Sequence, residues 1–383
     1  MRASLRGWLA FLLLVGTIVG VGMFAIPFVF AGVGLLVGLG ELVVIALVAV
    51  LVHLAYAEVV LATDRPHHLP GYVRLYLGER AGLLSRLSYL FGLSGTLLAY
   101  LVLGGTFLGE IFRWLWPGAL PALGPLAFYV LGTAVVFRSI RFESVINALF
   151  TLALVVAIVI LSVTLLPSFS AAALRIGSPG AFFAPYGVLL FAMSGAAIIP
   201  EMRRVLGRSA MPRLPHLVIG GTAAAALLYL IFATAVLGAS GADTTPDAIR
   251  GLALRFGDVY LLGGSIIGFL AAITSFIAIG VVLEGMFATD MQLPRRSAWT
   301  LTAAIPAGLY LLGLRNFIEI VSVIGAVGIG VDSIFILFLE RAVRRVRHRT
   351  LEFRLRIPGA VRLALVVMLG LGVLLELGTF FSG

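Results

Sequence analysis

Two apolar stretches of this 383-residue chain carry the same interruption, a glycine, four residues and then a proline: Gly22-Met23-Phe24-Ala25-Ile26-Pro27 and Gly195-Ala196-Ala197-Ile198-Ile199-Pro200. Glycine weakens a helix and proline removes a backbone donor, so each stretch invites a local break. The half-helix after a break presents free N–H groups and a positive dipole end, which suit a carboxylate. The carbonyls released nearby suit an ammonium group or a metal cation. Both poles of a zwitterionic amino acid can be met in this way without a charged side chain. The expected carboxylate site is the backbone of Val21, Gly22 and Met23. The expected ammonium site is the carbonyls of Val19 and Gly20 with those of Phe191, Ala192, Met193 and Ser194, next to Gly195. Phe24 and Met193 would shape the side-chain pocket. The competing reading is that the glycines serve close helix packing and the prolines only kink.

A second group of oxygens lies in Ala271-Ala272-Ile273-Thr274-Ser275-Phe276. Positions i, i+3 and i+4 share a helix face, so the Ala271 carbonyl and the hydroxyls of Thr274 and Ser275 point one way. With the carbonyls of Gly16 and Val19 they make five oxygens, a donor set for a hard cation such as Na+. The alternative is that both hydroxyls bond back to their own helix. Tyr100, mid-span in Ala99-Tyr100-Leu101-Val102, would cover the cargo or pack in the core. Ionisable groups inside a membrane are functional hypotheses by default. Asp332 is the more deeply placed acid of its span and is the candidate proton carrier. Glu58, Glu201, Glu284 and Asp290 lie near one set of span ends, where Arg65, Arg203, Arg204 or Arg295 can pair with them in a structural or inner-gate role. Glu41 and Glu376 stay ambiguous.

Other chemistries are missing from the sequence. No His, Asp or Glu cluster has metal-ligand spacing, no Gly-x-Ser-x-Gly elbow or phosphate loop stands in a suitable context, and there is no cysteine. His53 is isolated in an apolar span, and His67 and His68 fall in a polar loop. The chain is therefore read as a non-enzyme without a cofactor, Na+ as coupling ion aside.

The elements that must position these groups are membrane spans. The composition is 61% hydrophobic and 11% charged, with a mean hydropathy of +1.14. Roughly 20 apolar residues cross a bilayer. That ruler gives eleven spans, near 8–31, 35–62, 85–112, 122–137, 143–166, 184–202, 215–238, 259–287, 298–313, 317–340 and 359–381. With the N-terminus in the cytoplasm, 22 of the 27 arginines fall on the cytoplasmic side. Five fall outside, namely Arg113, Arg175, Arg250, Arg255 and Arg315. The positive-inside rule thus sets the orientation, puts the C-terminus outside the cytoplasm and accounts for the net charge of +10 without nucleic acid. The expected partners are a small amino acid and the lipid bilayer, with no obligate protein partner. Leu69 to Gly78 reads as an amphipathic interfacial helix. Thr245-Pro246 reads as the capped start of a short outer lid helix. Spans 1–5 (about 8–166) and 6–10 (about 184–340) form two sets of five, and five is odd, so the second set is inverted. The transporter core is then residues 1–341, followed by a basic cytoplasmic linker, 342–358, and a peripheral helix, 359–383.

These residues resemble the amino acid/auxin permease and aromatic amino acid permease branch of the amino acid–polyamine–organocation superfamily. Gly16-Thr17-Ile18-Val19-Gly20-Val21-Gly22-Met23-Phe24-Ala25-Ile26-Pro27 is similar to that branch's glycine-rich first helix. Leu190-Phe191-Ala192-Met193-Ser194-Gly195 with Pro200-Glu201 is similar to the sixth, Ala99-Tyr100-Leu101-Val102 to the third and Thr274-Ser275-Phe276 to the eighth. The resemblance implies an all-α integral membrane protein with the LeuT-like five-plus-five inverted repeat, discontinuous helices 1 and 6, and a multi-pass place in the cell membrane. It implies amino acid import by alternating access, driven by Na+ or H+, with helices 1, 2, 6 and 7 rocking against the rest. Ala271, Thr274 and Ser275 match the position of that fold's sodium site. The sixth break departs from the Phe-Gly-Phe-His-like pattern of aromatic permeases, which leaves the transported side chain open. Rival readings are an amine or nucleobase transporter, and a nutrient sensor on the same scaffold, which the short termini disfavour.

Overall fold

The computed structural model describes residues 3–137, 140–170, 177–346 and 353–382, and every regular element among them is helical. In chain order these are α1 (Ala3–Ile18), α2 (Gly22–Val33), α3 (Leu35–Ala62), α4 (Leu69–Leu77), α5 (Glu79–Leu115), α6 (Leu123–Val136), α7 (Ile140–Leu165) and α8 (Ala184–Ala192). There follow α9 (Ile199–Ala210), α10 (Leu214–Ser240), α11 (Ile249–Phe256), α12 (Asp258–Gly285), α13 (Arg295–Leu311), α14 (Phe317–Val323), α15 (Gly330–Val346) and α16 (Gly359–Ser382). By length and apolarity eight helical segments can cross a membrane, and a ninth is the bent pair α1–α2. The fourth and ninth stretches read from the sequence are the shorter helices α6, of 14 residues, and α13, of 17. Span 10 is α14 and α15 joined by a widened π-type turn over Ile324–Ile329.

Both interruptions are present, though neither falls on its proline. The first is Val19–Val21, where the chain bends by 45° between α1 and α2. Gly22 opens α2, and Pro27 sits inside that helix, where it removes one bond without ending it. The second is Met193–Gly195 and a single 3₁₀ turn, Ala196–Ile198, before α9. Pro200 falls in the first turn of α9, where its missing N–H costs nothing.

The two halves repeat a detail of backbone. A short helix precedes the third span of each half, α4 before α5 and α11 before α12. Each ends on a glycine in a conformation only glycine adopts easily, Gly78 (φ 93°, ψ 173°) and Gly257 (φ 90°, ψ 177°). An acidic residue, Glu79 or Asp258, then starts the long helix, where it complements the dipole.

Several expectations about the loops are corrected. The first half of α4, Leu69 to Val73, is buried rather than interfacial, and His68 is fully buried instead of lying in a polar loop. The outer helix begins at Ile249, three residues later than its expected first turn. Thr245 Oγ1 accepts the Gly251 N–H of its first turn at 3.0 Å, as expected of a cap, and Asp247 accepts that of Arg250 at 3.1 Å. Helix α15 runs to Val346, so the linker begins later than residue 342. Arg2, Arg138, Arg175, Arg347 and Arg349 lie outside the described residues.

The buried carboxylates at one end of the molecule find arginines, but not always the expected ones. Glu58 accepts two bonds from Arg344, both 2.9 Å, and one from the Leu355 N–H at 2.8 Å, so Arg65 is not its partner. Glu340 is shared by Arg344 at 2.6 Å and Arg362 at 2.5 Å. Glu201 pairs with Arg204 and Glu284 with Arg295, as expected, whereas Asp290 meets His67 and the His68 N–H. Removing one partner from such a pair strands a buried charge, so these contacts pin α3, α15 and α16 together at that end.

Candidate functional site

The first break is built almost wholly from backbone. Val19 N–H donates to the Val15 carbonyl and Gly20 N–H to the Ile18 carbonyl, both at 2.7 Å. Met23 N–H reaches the Gly20 carbonyl at 3.4 Å and Phe24 N–H the Val21 carbonyl at 3.1 Å. Val21 and Gly22 are left with N–H groups that have no acceptor among the described residues. They stand at the start of α2, in the field of its positive end, which is the arrangement a carboxylate needs. Of the expected donors Val21, Gly22 and Met23, the Met23 N–H is the one already engaged, by the Gly20 carbonyl.

The second break spends its donors differently. Met193 N–H donates to Leu189 and Ser194 N–H to Phe191. Gly195 N–H donates to His53 Nε2 at 3.0 Å, and His53 Nδ1 lies 3.0 Å from Thr222 Oγ1. Because Nε2 accepts, the ring proton sits on Nδ1 and points to Thr222. His53 is thus a neutral bridge from α3 to the break and to α10. The sequence reading left it unassigned, although a histidine alone in an apolar span was itself a signal.

A second residue missed in the sequence is Tyr229, fully buried on α10. Its hydroxyl donates to the Ile18 carbonyl and lies 3.0 Å from the Ala192 carbonyl. One side chain thereby touches the last residue before each break. The breaks are also in direct contact, since a methyl group on Gly22 would come within 2.9 Å of Ala192 Cα.

Phe24 does not face open space. It is fully buried, with ring centroids of Phe107 at 4.9 Å and Phe232 at 5.6 Å. Tyr100 stands beside Gly20, where a methyl group would meet its Cε1 at 3.3 Å and Ser275 Oγ at 2.7 Å. Phe191 lies edge-on to Tyr100 at 6.2 Å.

Of the oxygens read as a cation site, one pair meets across elements and the Thr274 hydroxyl stays on its own helix. Ser275 Oγ donates to the Gly16 carbonyl at 2.9 Å, and Thr274 Oγ1 donates to Leu270 at 2.9 Å and Ala271 at 3.1 Å. Both hydroxyl protons are engaged by carbonyls, as the back-bonding alternative requires for Thr274. Asn147, also missed in the sequence, donates to the Thr274 carbonyl at 3.1 Å and accepts from Thr151 at 3.2 Å. No cluster of three His, Asp or Glu residues suited to a metal occurs among the described residues.

From the second break a cavity of about 50 Å³ runs between α3, α5, α12 and α15. Phe191, Ser194 and Tyr100 line one end; Tyr56, Tyr89 and Asp332 line the other. It holds a few waters or a small cation and no amino acid. The phenols of Tyr56 and Tyr89 have no hydrogen-bond partner among the described residues. Asp332 accepts one bond, from Ser88 Oγ at 2.8 Å. Glu58, Glu201, Glu284 and Glu340 each have an arginine; Asp332 has none within ion-pair distance among the described residues. Glu41 lies apart, in a groove with Tyr186.

Two broken helices at matching places in the two halves, with bare backbone groups at the breaks, define the class: a transporter of the LeuT fold. A crystal structure of MhsT in complex with L-phenylalanine shares the fold, with a TM-score of 0.62, 17% identity and 97% of each chain covered. The family model of the tryptophan/tyrosine permease family matches residues 4–377, and the chain belongs to that family. A search of curated proteins returns no match. The chain is an amino acid transporter and not an enzyme.

Proposed function

We propose that the chain imports an aromatic amino acid by alternating access, coupled to an inward flow of cations, from a cell membrane in which its N-terminus is cytoplasmic and its C-terminus is not. The observation that carries this reading is the pair of breaks. Val21 and Gly22 offer the donors for a carboxylate, and the carbonyls of Ile18 and Ala192, brought together at the Tyr229 hydroxyl, offer acceptors for an ammonium group. The family's name and the phenylalanine in MhsT favour an aromatic cargo, as do the rings of Tyr100, Phe191, Phe24, Phe107 and Phe232 around the breaks. The same features fit the amino acid–polyamine–organocation superfamily suggested by the sequence.

The coupling ion in this reading is a proton carried by Asp332. A carboxylate in a membrane needs a cation or a proton, and its neighbours supply hydroxyls only. A second reading places Na+ among Gly16, Val19, Ala271, Thr274 and Ser275, favoured by the convergence of Ser275 Oγ on the Gly16 carbonyl. Uptake of labelled aromatic amino acids into proteoliposomes, with pH and Na+ gradients imposed separately, tests both. Accumulation is expected under the pH gradient alone and to vanish in Asp332→Asn, while Thr274→Ala with Ser275→Ala keeps it. Accumulation that needs Na+ and is lost in the double variant selects the second reading. Absence of uptake under either gradient contradicts both.

A further inference from the structure

Ile18 and Ala192 are the last helical residues before the two breaks. Their carbonyls belong to the unpaired set at helix C-termini and carry the negative ends of two dipoles. Both face one atom, the Tyr229 hydroxyl. The Ile18 carbonyl also takes the Gly20 N–H at 2.7 Å, while Tyr229 is the one donor to the Ala192 carbonyl among the described residues. A phenol has a single proton to give, so two acceptors compete for one donor. A point flanked by two negative helix ends is matched better by a primary ammonium group, with its charge and three donors, than by a neutral hydroxyl.

The gap between the breaks is closed. Gly22 and Ala192 touch, Phe24 and Met193 are buried, and the cavity stops at Phe191 and Ser194. Cargo entering between the breaks must part them. Parting them draws the Ala192 carbonyl away from Tyr229, which is fixed on α10 and already held by Ile18.

We propose that Tyr229 is an internal competitor of the cargo's ammonium group, a specificity-determining residue that caps the two break carbonyls in the empty transporter and surrenders one of them on binding. The proposal rests on the reading that the cargo is an amino acid. It explains why a donor is built into a site that would otherwise leave the Ala192 carbonyl bare: the closed form is held shut by the bond that the cargo replaces. It also sets a sign. A residue that merely supports the fold, or that ligates the cargo, weakens binding when its hydroxyl is deleted. A competitor strengthens it.

Equilibrium binding of labelled L-tryptophan, L-tyrosine and L-phenylalanine to purified wild type and Tyr229→Phe decides between these. One net hydrogen bond no longer given up on binding tightens the dissociation constant about fivefold. The melting temperature of the empty variant falls below that of empty wild type, while the two saturated proteins melt together. Tyr229→Met, which keeps the volume and also lacks the hydroxyl, moves both readouts the same way if the phenylalanine variant expresses poorly. Equal or weaker binding by well-folded Tyr229→Phe overturns the competitor role and leaves the cargo assignment standing. A wild type that binds none of the three amino acids overturns the cargo assignment, and this inference with it.

Discussion

The two breaks look alike in sequence and differ in what surrounds them. The first is sealed. The N–H groups of Val19, Gly20, Met23 and Phe24 are used within the backbone, Tyr229 and Ser275 donate to the Ile18 and Gly16 carbonyls just before it, and it keeps two spare N–H groups at the start of α2. The second is wired to other elements. His53 of α3 takes the Gly195 N–H, Tyr229 of α10 caps the Ala192 carbonyl, and the cavity toward Asp332 begins at Ser194. The difference assigns the labour. In the proposed reading the first break is the fixed donor for the carboxylate. The second is the movable partner in that reading, its backbone held by side chains that can let go, and its cavity leads to Asp332, which has no arginine within ion-pair distance among the described residues.

The sharpest way to break this comparison is to add one methyl group to each break in turn. At Gly22 the new carbon meets backbone, Ala192 Cα at 2.9 Å, and backbone cannot give locally. At Gly195 it meets the side-chain ends of Ile18 and Leu14 at 2.7–2.9 Å, which can rotate aside. Gly22→Ala is expected to abolish uptake, with an overpacking cost of ~1–3 kcal/mol, whereas Gly195→Ala keeps a measurable fraction. Equal losses in a proteoliposome assay would remove the distinction between a sealed and a yielding break.

A smaller effect is expected at His53. In His53→Ala the Gly195 N–H is left buried without an acceptor, at a cost of ~1–3 kcal/mol. The variant should melt earlier and transport more slowly, and His53→Gln, whose carbonyl can still accept, should recover part of both. No recovery would mean that the ring matters for packing and not for holding the break.

The smallest effect concerns His68, a useful contrast because it is equally buried and lies outside the spans. Its ring nitrogens have no hydrogen-bond partner among the described residues, and burial pushes its pKa down from 6.5 to about 4. A histidine held neutral in the folded state contributes stability that is complete above pH 6.5. That contribution is lost as pH falls toward 4, because the unfolded chain takes up the proton first. The melting temperature of wild type should therefore drop between pH 6.5 and 4.5 more steeply than that of His68→Leu. Parallel curves would show that His68 is not a source of the acid sensitivity.

Much of this was legible in the chain. All eleven apolar stretches are helical, and both interruptions contain a glycine in an apolar run, because composition and chain entropy act locally. Asp332 stood out because an acid in a span is conspicuous by type alone. What escaped was long-range. Glu58 pairs with Arg344, 286 residues away, and not with the nearby Arg65. His53 serves a break 142 residues distant, and Tyr229 one 211 residues back. No spacing rule brings such residues together; the packing of α3 and α10 on the breaks does. One signal was present and went unread: Leu77-Gly78-Glu79 and Phe256-Gly257-Asp258 mark the same step in the two halves, and each glycine is required by its positive φ.

The central claim is that the backbone at the two breaks holds both poles of an amino acid at once. Competition against uptake of labelled L-tryptophan by three analogues tests it most directly: tryptamine, which lacks the carboxylate, indole-3-propionate, which lacks the ammonium group, and unlabelled tryptophan itself. Unlabelled tryptophan should compete fully, and each analogue should be weaker by at least ~100-fold, since losing either pole leaves buried backbone groups unpaired. An analogue that competes as well as tryptophan would show that one of the two breaks does not touch the cargo.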